Sequence, residues 1–441
     1  MARRRDSLSD VSATTALLTD HYELTMLQAA LARGTGRRRA VFEVFARSLP
    51  HGRRYGVVAG TGRLLDALEA FSFDDATLEH LDSSGVVDRP TIEWLAGYRF
   101  SGDIWGYGEG EPYFPHSPLL IVEAPFAEAV LLETLTLSIL NADSAVAAAA
   151  SRMTAAARGR PCIEMGSRRT HEQAAVTAAR AAYIGGFSST SNLQAGRSYG
   201  IPTRGTSAHA FTLLHDTERD AFTAQVQSLG KGTTLLVDTY DVAEAVALAV
   251  DVAGPDLGAV RLDSGDLLAQ AHEVRAQLDE LGATSTKIVV TSDLDEHAIA
   301  ALAAAPVDAY GVGTSLVTGS GSPTAGLVYK LVAREGPDGE LTPVEKKSED
   351  KPGVGGRKFP VRRRDRNGFA EAEVIAIDHR PESDADDRDL LLPLVRSGEV
   401  VGREPLDAAQ ERHRQGLAEL PRVALQMSRG EPAIPTLYEE P

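Results

Sequence analysis

At 441 residues, 43% hydrophobic and 24% charged, the chain is long enough for two or three domains, and it has no run near the roughly 18 uninterrupted apolar residues of a membrane span. Lysine and arginine total 45 against 62 acids, and the net charge of −17 argues against nucleic acid as the main partner, because phosphate backbones select basic surfaces. A single cysteine, Cys162, excludes an internal disulfide and a cysteine-rich zinc module, and fits a reducing, cytoplasmic compartment. An acidic chain can still bind small anions if its positive charge is concentrated locally, so basic residues in glycine-rich or apolar turns carry the information.

The first ten residues are basic with no apolar stretch behind them, and read as a disordered leader, not a signal peptide. Residues 14–33 read as a helix, with Thr19 or Asp20 near its N-terminal cap and Leu24, Leu27, Ala30 and Leu31 on one face. Residues 40–48 alternate like a strand, with Val41, Glu43, Phe45 and Arg47 on one side and Phe42, Val44 and Ala46 on the other. A short helix is expected at 61–71, and two more at 127–140 and 145–157. Eight short apolar runs, at 119–123, 161–164, 182–186, 201–205, 234–238, 258–262, 287–291 and 307–311, each end in a polar or glycine-rich turn.

Strand and helix alternating at this spacing predict parallel βα units. Eight of them suit an irregular TIM-like α/β barrel, whose active site lies at the carboxyl ends of the strands. The expected organisation is an N-terminal α+β lobe over 14–125, the barrel over 126–340, and a C-terminal segment over 341–441 that packs with the N-terminal lobe. Within that last segment 346–366 is basic and glycine-rich, 369–378 alternates like a strand, 381–389 is an acidic solvated turn, and 405–427 reads as a closing helix.

The last two strand ends are the first place to look for chemistry, because barrels often bind phosphate in the loops after strands seven and eight. There Thr291-Ser292-Asp293-Leu294 and Gly311-Val312-Gly313-Thr314-Ser315 offer backbone N–H groups and hydroxyls to an oxyanion. Gly166-Ser167-Arg168-Arg169 places two arginines after another strand, where they suit a diphosphate or a carboxylate; a solvated basic turn is the plain alternative. Arg261-Leu262-Asp263-Ser264-Gly265-Asp266 puts an arginine and two carboxylates in one turn, fit for an anion with its magnesium ion or for a salt bridge. His209 follows the run at 201–205, and Asp238 ends the next, within reach to fix the imidazole's tautomer. A histidine so oriented acts as base or nucleophile.

Other motifs are missing. There is no G-x-x-x-x-G-K-[ST] loop, Gly311-x-Gly313 is not completed to G-x-G-x-x-G, and no His-x-x-His or Cys-x-x-Cys zinc spacing occurs. Residues 235–241 superficially resemble the diphosphate-sugar motif of Rossmann-like phosphoribosyltransferases, but the hydroxyl- and glycine-rich loop that should follow is absent.

Taken in order, these segments resemble the nicotinate phosphoribosyltransferase family, barrel-type enzymes of NAD salvage. The resemblance runs from Leu17-Leu18-Thr19-Asp20-His21-Tyr22 to about Lys358. It takes in Phe42-Glu43-Val44-Phe45, Gly106-Tyr107-Gly108-Glu109-Gly110, Glu133-Thr134 through Asn141, the arginine turn, Gly185-Gly186-Phe187-Ser188-Ser189-Thr190-Ser191-Asn192, and the His209, Arg261 and Gly311 segments. It implies condensation of nicotinate with phosphoribosyl diphosphate, coupled to ATP hydrolysis through a phosphorylated histidine, here His209, with Mg2+ present. Asp238 would pair with His209, and Asp263 would lie by the magnesium; these three form the expected catalytic set.

The resemblance also implies a substrate-binding set. Arg168, with Arg169 beside it, would meet the phosphoribosyl diphosphate, and Arg261 the nicotinate carboxylate. Gly313 and Thr314 would hold the 5′-phosphate, alongside Gly311, Ser292 and Asp293. Tyr22 would reach across a homodimer interface to stack on the pyridine ring. Met165 stands where relatives often carry an aromatic wall, and Phe187 belongs to the same group. Ser191 stands where nicotinamide-using relatives have an aspartate, and a carboxylate there would repel nicotinate. The basic segment from Lys346 to Lys358 would close over ATP or diphosphate, or form a flexible charged loop. Quinolinate- or nicotinamide-type transfer, and a non-catalytic barrel protein, are the competing readings.

Overall fold

The computed structural model describes residues 14–346, 353–382 and 386–439. Residues 1–13, which include the ten expected to form a leader, part of the basic segment at 347–352, the middle of the acidic turn at 383–385 and residues 440–441 lie outside the described residues. The chain divides into two compact units, one from residues 1–144, 324–424 and 429–441, the other from 145–323 and 425–428.

The first unit is built on an antiparallel sheet of seven strands. Their order is Leu341–Pro343, Leu327–Glu335, Arg39–Ala46, Leu120–Pro125, Asp103–Gly106, Leu392–Arg396 and Glu399–Val400. The alternation expected over 40–48 does not sort inside from outside: Ala40 through Ala46 are all buried, because the strand is central and covered on both faces. Phe42 stacks on Tyr329 with centroids 4.8 Å apart, and Glu43 pairs with Lys358 at 2.6 Å, both charges being buried. Helix His21–Ala32 buries Leu24 and Leu27. Its Glu23 carboxylate accepts the Thr134 backbone N–H at 2.9 Å and the hydroxyls of Thr134 and Thr19. A four-stranded sheet joins Arg388–Asp389, Lys358–Arg364, Ala370–Ile377 and Thr436–Tyr438.

The two helices expected over 127–157 are one long helix, Glu133–Ala157, preceded by the short turns Phe126–Ala129 and Val130–Leu132. Asn141-Ala142-Asp143-Ser144 contains no glycine or proline to break it, and its polar groups find partners. Asp143 pairs with Arg63 at 2.7 Å, the Ser144 hydroxyl accepts from Ala59 N–H at 3.1 Å, and Asn141 Oδ1 accepts from Leu327 N–H at 2.8 Å. The stretch Phe126–Ala157 has the length and hydropathy of a membrane span, but its most apolar window is 67% buried within the protein, as in a core helix.

The second unit holds a wholly parallel sheet in the order Ser189–Thr190, Cys162–Glu164, Ala309–Val312, Lys287–Val290, Ala259–Leu262, Thr234–Leu236. Six strands, not eight, are therefore present among the described residues. The run at 119–123 belongs to the antiparallel sheet of the first unit. The run at 182–186 is the end of helix Glu172–Ile184, since the alanine-rich stretch before it carries the helix on to Ile184 and the strand comes three residues after Gly186. The run at 201–205 makes a single parallel bridge, Thr203 to Thr190. The helices that follow five strands start on side-chain caps, as His171, Asn192, Asp241, Asp266 and Asp295 each accept a backbone N–H two or three residues on.

One buried network in the first unit tests how far charge holds the fold. Arg362 and Glu373 are fully buried and pair at 2.6 Å, and Arg362 also donates to Pro112 O at 2.8 Å. Glu111 sits 3.5 Å from Arg362 and takes two 2.8 Å hydrogen bonds from Arg388. Arg362→Ala leaves Glu373 buried without its cation, and should lower the unfolding free energy of this unit by about 3–5 kcal/mol in denaturant titrations. A loss below about 1 kcal/mol would show that Ser117 and Tyr107 satisfy Glu373 alone.

Candidate functional site

Because the second sheet is parallel, the carboxyl ends of all its strands lie along one edge, and the predicted residues cluster there. A cavity of about 250 Å³ is lined by Met165, Arg168, Arg169, Arg261, Asp263, Thr291, Ser292, Asp293, Gly311, Gly313 and Thr314. Every one of these except Thr291 is in the expected site set. Its walls come from three stretches of strand end and turn, 165–169, 261–263 and 291–293, with the 311–314 loop closing the fourth side.

The glycines are required by close packing. A Cβ on Gly311 would stand 2.5 Å from Thr291 Cγ2 and 2.7 Å from Met165 Sδ. One on Gly166 would lie 2.3 Å from Val317 Cγ1. Ser292 takes φ +140°, a region that side chains other than glycine rarely adopt, and such strain persists where the surroundings over-determine it.

Cation and carboxylates are held apart by neutral donors and acceptors. Arg261 donates through Nη1 to Ser207 O at 3.1 Å and to the Thr206 hydroxyl, while its Nε is buried without a hydrogen-bond partner. Desolvation lowers the Arg261 pKa, and the nearby Asp263 and Asp238 charges oppose that shift. The Thr291 hydroxyl donates to Asp263 Oδ1. Asp238 Oδ2 accepts from Asp263 N–H at 2.9 Å and from the Ser264 hydroxyl at 2.7 Å, leaving its buried Oδ1 without a hydrogen bond. Arg168 and Arg169 are exposed and make no side-chain ion pair among the described residues.

His209 begins helix His209–Leu214, and its Nε2 lies 4.0 Å from both Asp238 Oδ1 and Asp263 Oδ2. The hydrogen bond expected from Asp238 is made instead by Thr239, whose Oγ1 is 3.1 Å from Nδ1. A 4.0 Å approach is too long for a hydrogen bond, so neither carboxylate fixes the imidazole by one. Thr239, Thr206, Ser264 and Thr291 were missed as single residues; each is a hydroxyl in or beside a turn already singled out, and hydroxyl enrichment at strand ends was the available signal.

Five expected residues are not in the cavity wall: His209 and Asp238, which reach it through their approaches to Asp263, and three others. Phe187 is 1% exposed, a core residue. Ser191 follows the edge strand and donates its N–H to Glu164 O at 2.8 Å. Tyr22 belongs to the first unit, where it is 44% exposed and its hydroxyl is pushed up to about 12, by burial first and then by Glu133 and Glu23. No group of three or more His, Cys, Asp or Glu side chains suited to a metal occurs among the described residues.

Gly311→Ala would push Thr291, and with it Asp263, out of place. Calorimetric titration with inorganic diphosphate should show affinity falling by about tenfold or more, and unchanged affinity would show that this packing does not shape the site.

Residues 17–141 match the nicotinate phosphoribosyltransferase N-terminal domain, and residues 161–354 match the nicotinate phosphoribosyltransferase family. A nicotinate phosphoribosyltransferase of Mycobacterium tuberculosis is 56% identical over 99% of this chain and 98% of its own length. The Bacillus subtilis enzyme is 39% identical over 82% of this chain and 76% of its own. The crystal structure of human nicotinic acid phosphoribosyltransferase superposes with a TM-score of 0.81 at 26% identity, covering 96% of this chain and 98% of the human one. The chain belongs to the nicotinate phosphoribosyltransferase family.

Proposed function

We propose that the chain condenses nicotinate with phosphoribosyl diphosphate to give nicotinate mononucleotide and diphosphate, and couples this to ATP hydrolysis through phosphorylation of His209. The observation that carries the reading is the convergence of Arg168, Arg169 and Arg261 with Asp263 and the 311–314 loop on one cavity, within a chain of this family. Both substrates are anions, and unpaired arginines at strand ends are what anions need.

In this reading the C1–diphosphate bond of the ribose breaks as the pyridine nitrogen bonds to C1, with positive charge building on the ribose. Arg168 and Arg169 take up the charge of the departing diphosphate, and Gly313 and Thr314 hold the 5′-phosphate through backbone N–H and hydroxyl groups. Arg261 orients the nicotinate carboxylate through the donors that Thr206 and Ser207 leave free. Positioning and charge neutralisation suffice, and no side chain needs to attack the ribose. His209, with carboxylates beside Nε2 and a hydroxyl on Nδ1, is suited to accept and release a phosphoryl group.

The donor set fits magnesium that arrives with phosphate oxygens, which typically uses one or two protein carboxylates. Asp263 has an oxygen outside its bond to Thr291, and Asp238 Oδ1 is buried with no hydrogen bond. These two would hold the ion, whose charge would offset that of the diphosphate.

Ser191 in place of a carboxylate supports the acid over the amide. The half-exposed Tyr22 supports its stacking across a homodimer interface. The sheet order also supports an irregular barrel, since Cys162–Glu164, the first strand of the parallel sheet in chain order, pairs with both the second and the last of that sheet. The single buried cysteine supports a cytoplasmic location.

A product assay with phosphoribosyl diphosphate and nicotinate, nicotinamide or quinolinate, each with and without ATP, tests the assignment. Nicotinate should be preferred and ATP should stimulate; preference for either other acceptor would overturn it. His209→Ala should abolish the ATP stimulation while some ATP-independent synthesis remains, and a mutant that kept full stimulation would remove His209 from the coupling.

A further inference from the structure

Beneath the arginine turn lies a carboxylate that the chemistry above does not use. Glu164 ends the strand Cys162–Glu164 with no exposed surface, and no cation pairs with it among the described residues. Burial pushes its carboxyl above the ordinary range, and hydrogen bonds from Thr190 and Gly166 pull it back. A buried charge without a counter-ion is costly, so its bonds should explain its presence.

Those bonds tie two strand ends together. Oε1 accepts the Gly166 N–H and Oε2 accepts the Thr190 hydroxyl. The main-chain oxygen of Glu164 accepts the Ser191 N–H at 2.8 Å. Thr190 Oγ1 in turn accepts the Asn192 N–H at 2.9 Å, and Asn192 Nδ2 donates to Ser167 Oγ at 3.0 Å. The turn closes through Arg169 N–H on Gly166 O at 2.8 Å, and it leaves no room on Gly166 for a Cβ beside Val317. The two arginines thus stand on a turn fixed on one side by Glu164 and on the other by the helix Thr314–Val317, which starts at the 311–314 loop.

We propose that Glu164 is a positioning residue that clasps the 166–169 turn to the Thr190–Ser191 strand end and so sets where Arg168 and Arg169 meet the diphosphate. This rests on the phosphoribosyl-transfer reading. The clasp depends on hydrogen bonds and not on charge. A glutamine can accept from Gly166 N–H and donate to the second lone pair of Thr190 Oγ1, whereas a leucine leaves a buried N–H and a buried hydroxyl unpaired.

Calorimetric titration with inorganic diphosphate in magnesium buffer separates the possibilities. Glu164→Leu should bind about tenfold more weakly, and Glu164→Gln within about threefold of the unaltered protein. In turnover the leucine variant should raise KM for phosphoribosyl diphosphate with kcat little changed, whereas a smaller folded fraction would lower kcat alone. Unaltered diphosphate affinity in a folded Glu164→Leu, or a glutamine variant as weak as the leucine one, would overturn the clasp. If the leucine variant does not fold, Thr190→Val removes one of the two donors and should weaken diphosphate several-fold; no change would overturn the proposal equally. Failure of the unaltered protein to bind diphosphate would instead strike the phosphoribosyl-transfer reading itself.

Discussion

A half-buried arginine that is not neutralised by its own protein is the constraint around which the strand-end edge is arranged. Arg261 gives its hydrogen bonds to neutral oxygens of Thr206 and Ser207, and keeps a buried Nε unpaired. Two carboxylates stand close enough to oppose the effect of its desolvation, yet neither takes a hydrogen bond from it. Their oxygens go elsewhere: Asp238 to the Asp263 N–H and the Ser264 hydroxyl, Asp263 to the Thr291 hydroxyl. Unsatisfied charge is expensive inside a protein, and hydroxyls are the cheapest way to keep opposite charges near each other without letting them collapse into a pair. The result is an edge on which cations remain open to an incoming anion.

The parallel sheet makes that arrangement possible at several loops at once. All six strands end on the same side, and in five of the helices that follow a side chain at the N-cap is consumed by the helix's own backbone N–H groups. Asp241, Asp266 and Asp295 are spent on backbone N–H groups, which explains why these acids, though close in sequence to the site, are absent from the cavity wall. The residues between strand end and cap, such as Asp263 and Ser292, are left to line the cavity. The division of labour is set by position along the turn more than by residue type.

The cavity was largely legible because its residues are the short turns after apolar runs, and both signals are local. Arg168, Arg261, Asp263 and Gly313 could be placed on one edge without knowing how the strands order themselves, since any parallel sheet puts them there. The number of strands was less legible. The run at 182–186 is as apolar as a strand, but an alanine-rich helix extends into it, and periodicity cannot separate a buried helix end from a buried strand. The run at 119–123 is a genuine strand whose antiparallel partners, Arg39–Ala46 and Asp103–Gly106, are not visible in its own residues. Glu164 escaped for the same reason. Within the apolar run it looked like the polar end of a strand, and only the pairing with Thr190 reveals a carboxylate with two buried donors.

Hydrophobic contact is the scarce resource of this cavity. Met165 is the one apolar side chain among its lining residues, and the rest are charged, hydroxylated or glycine. Such a wall suits phosphate and carboxylate groups, but a planar aromatic ring gains most when both faces are covered. Phe187, the nearest aromatic in the sequence motif, cannot serve, because it is spent on the core and holds its N–H on Ala182 O at 3.0 Å. One thioether can cover one face of a ring. The second face is left uncovered by these loops, and it is what the proposed stacking of Tyr22 would supply.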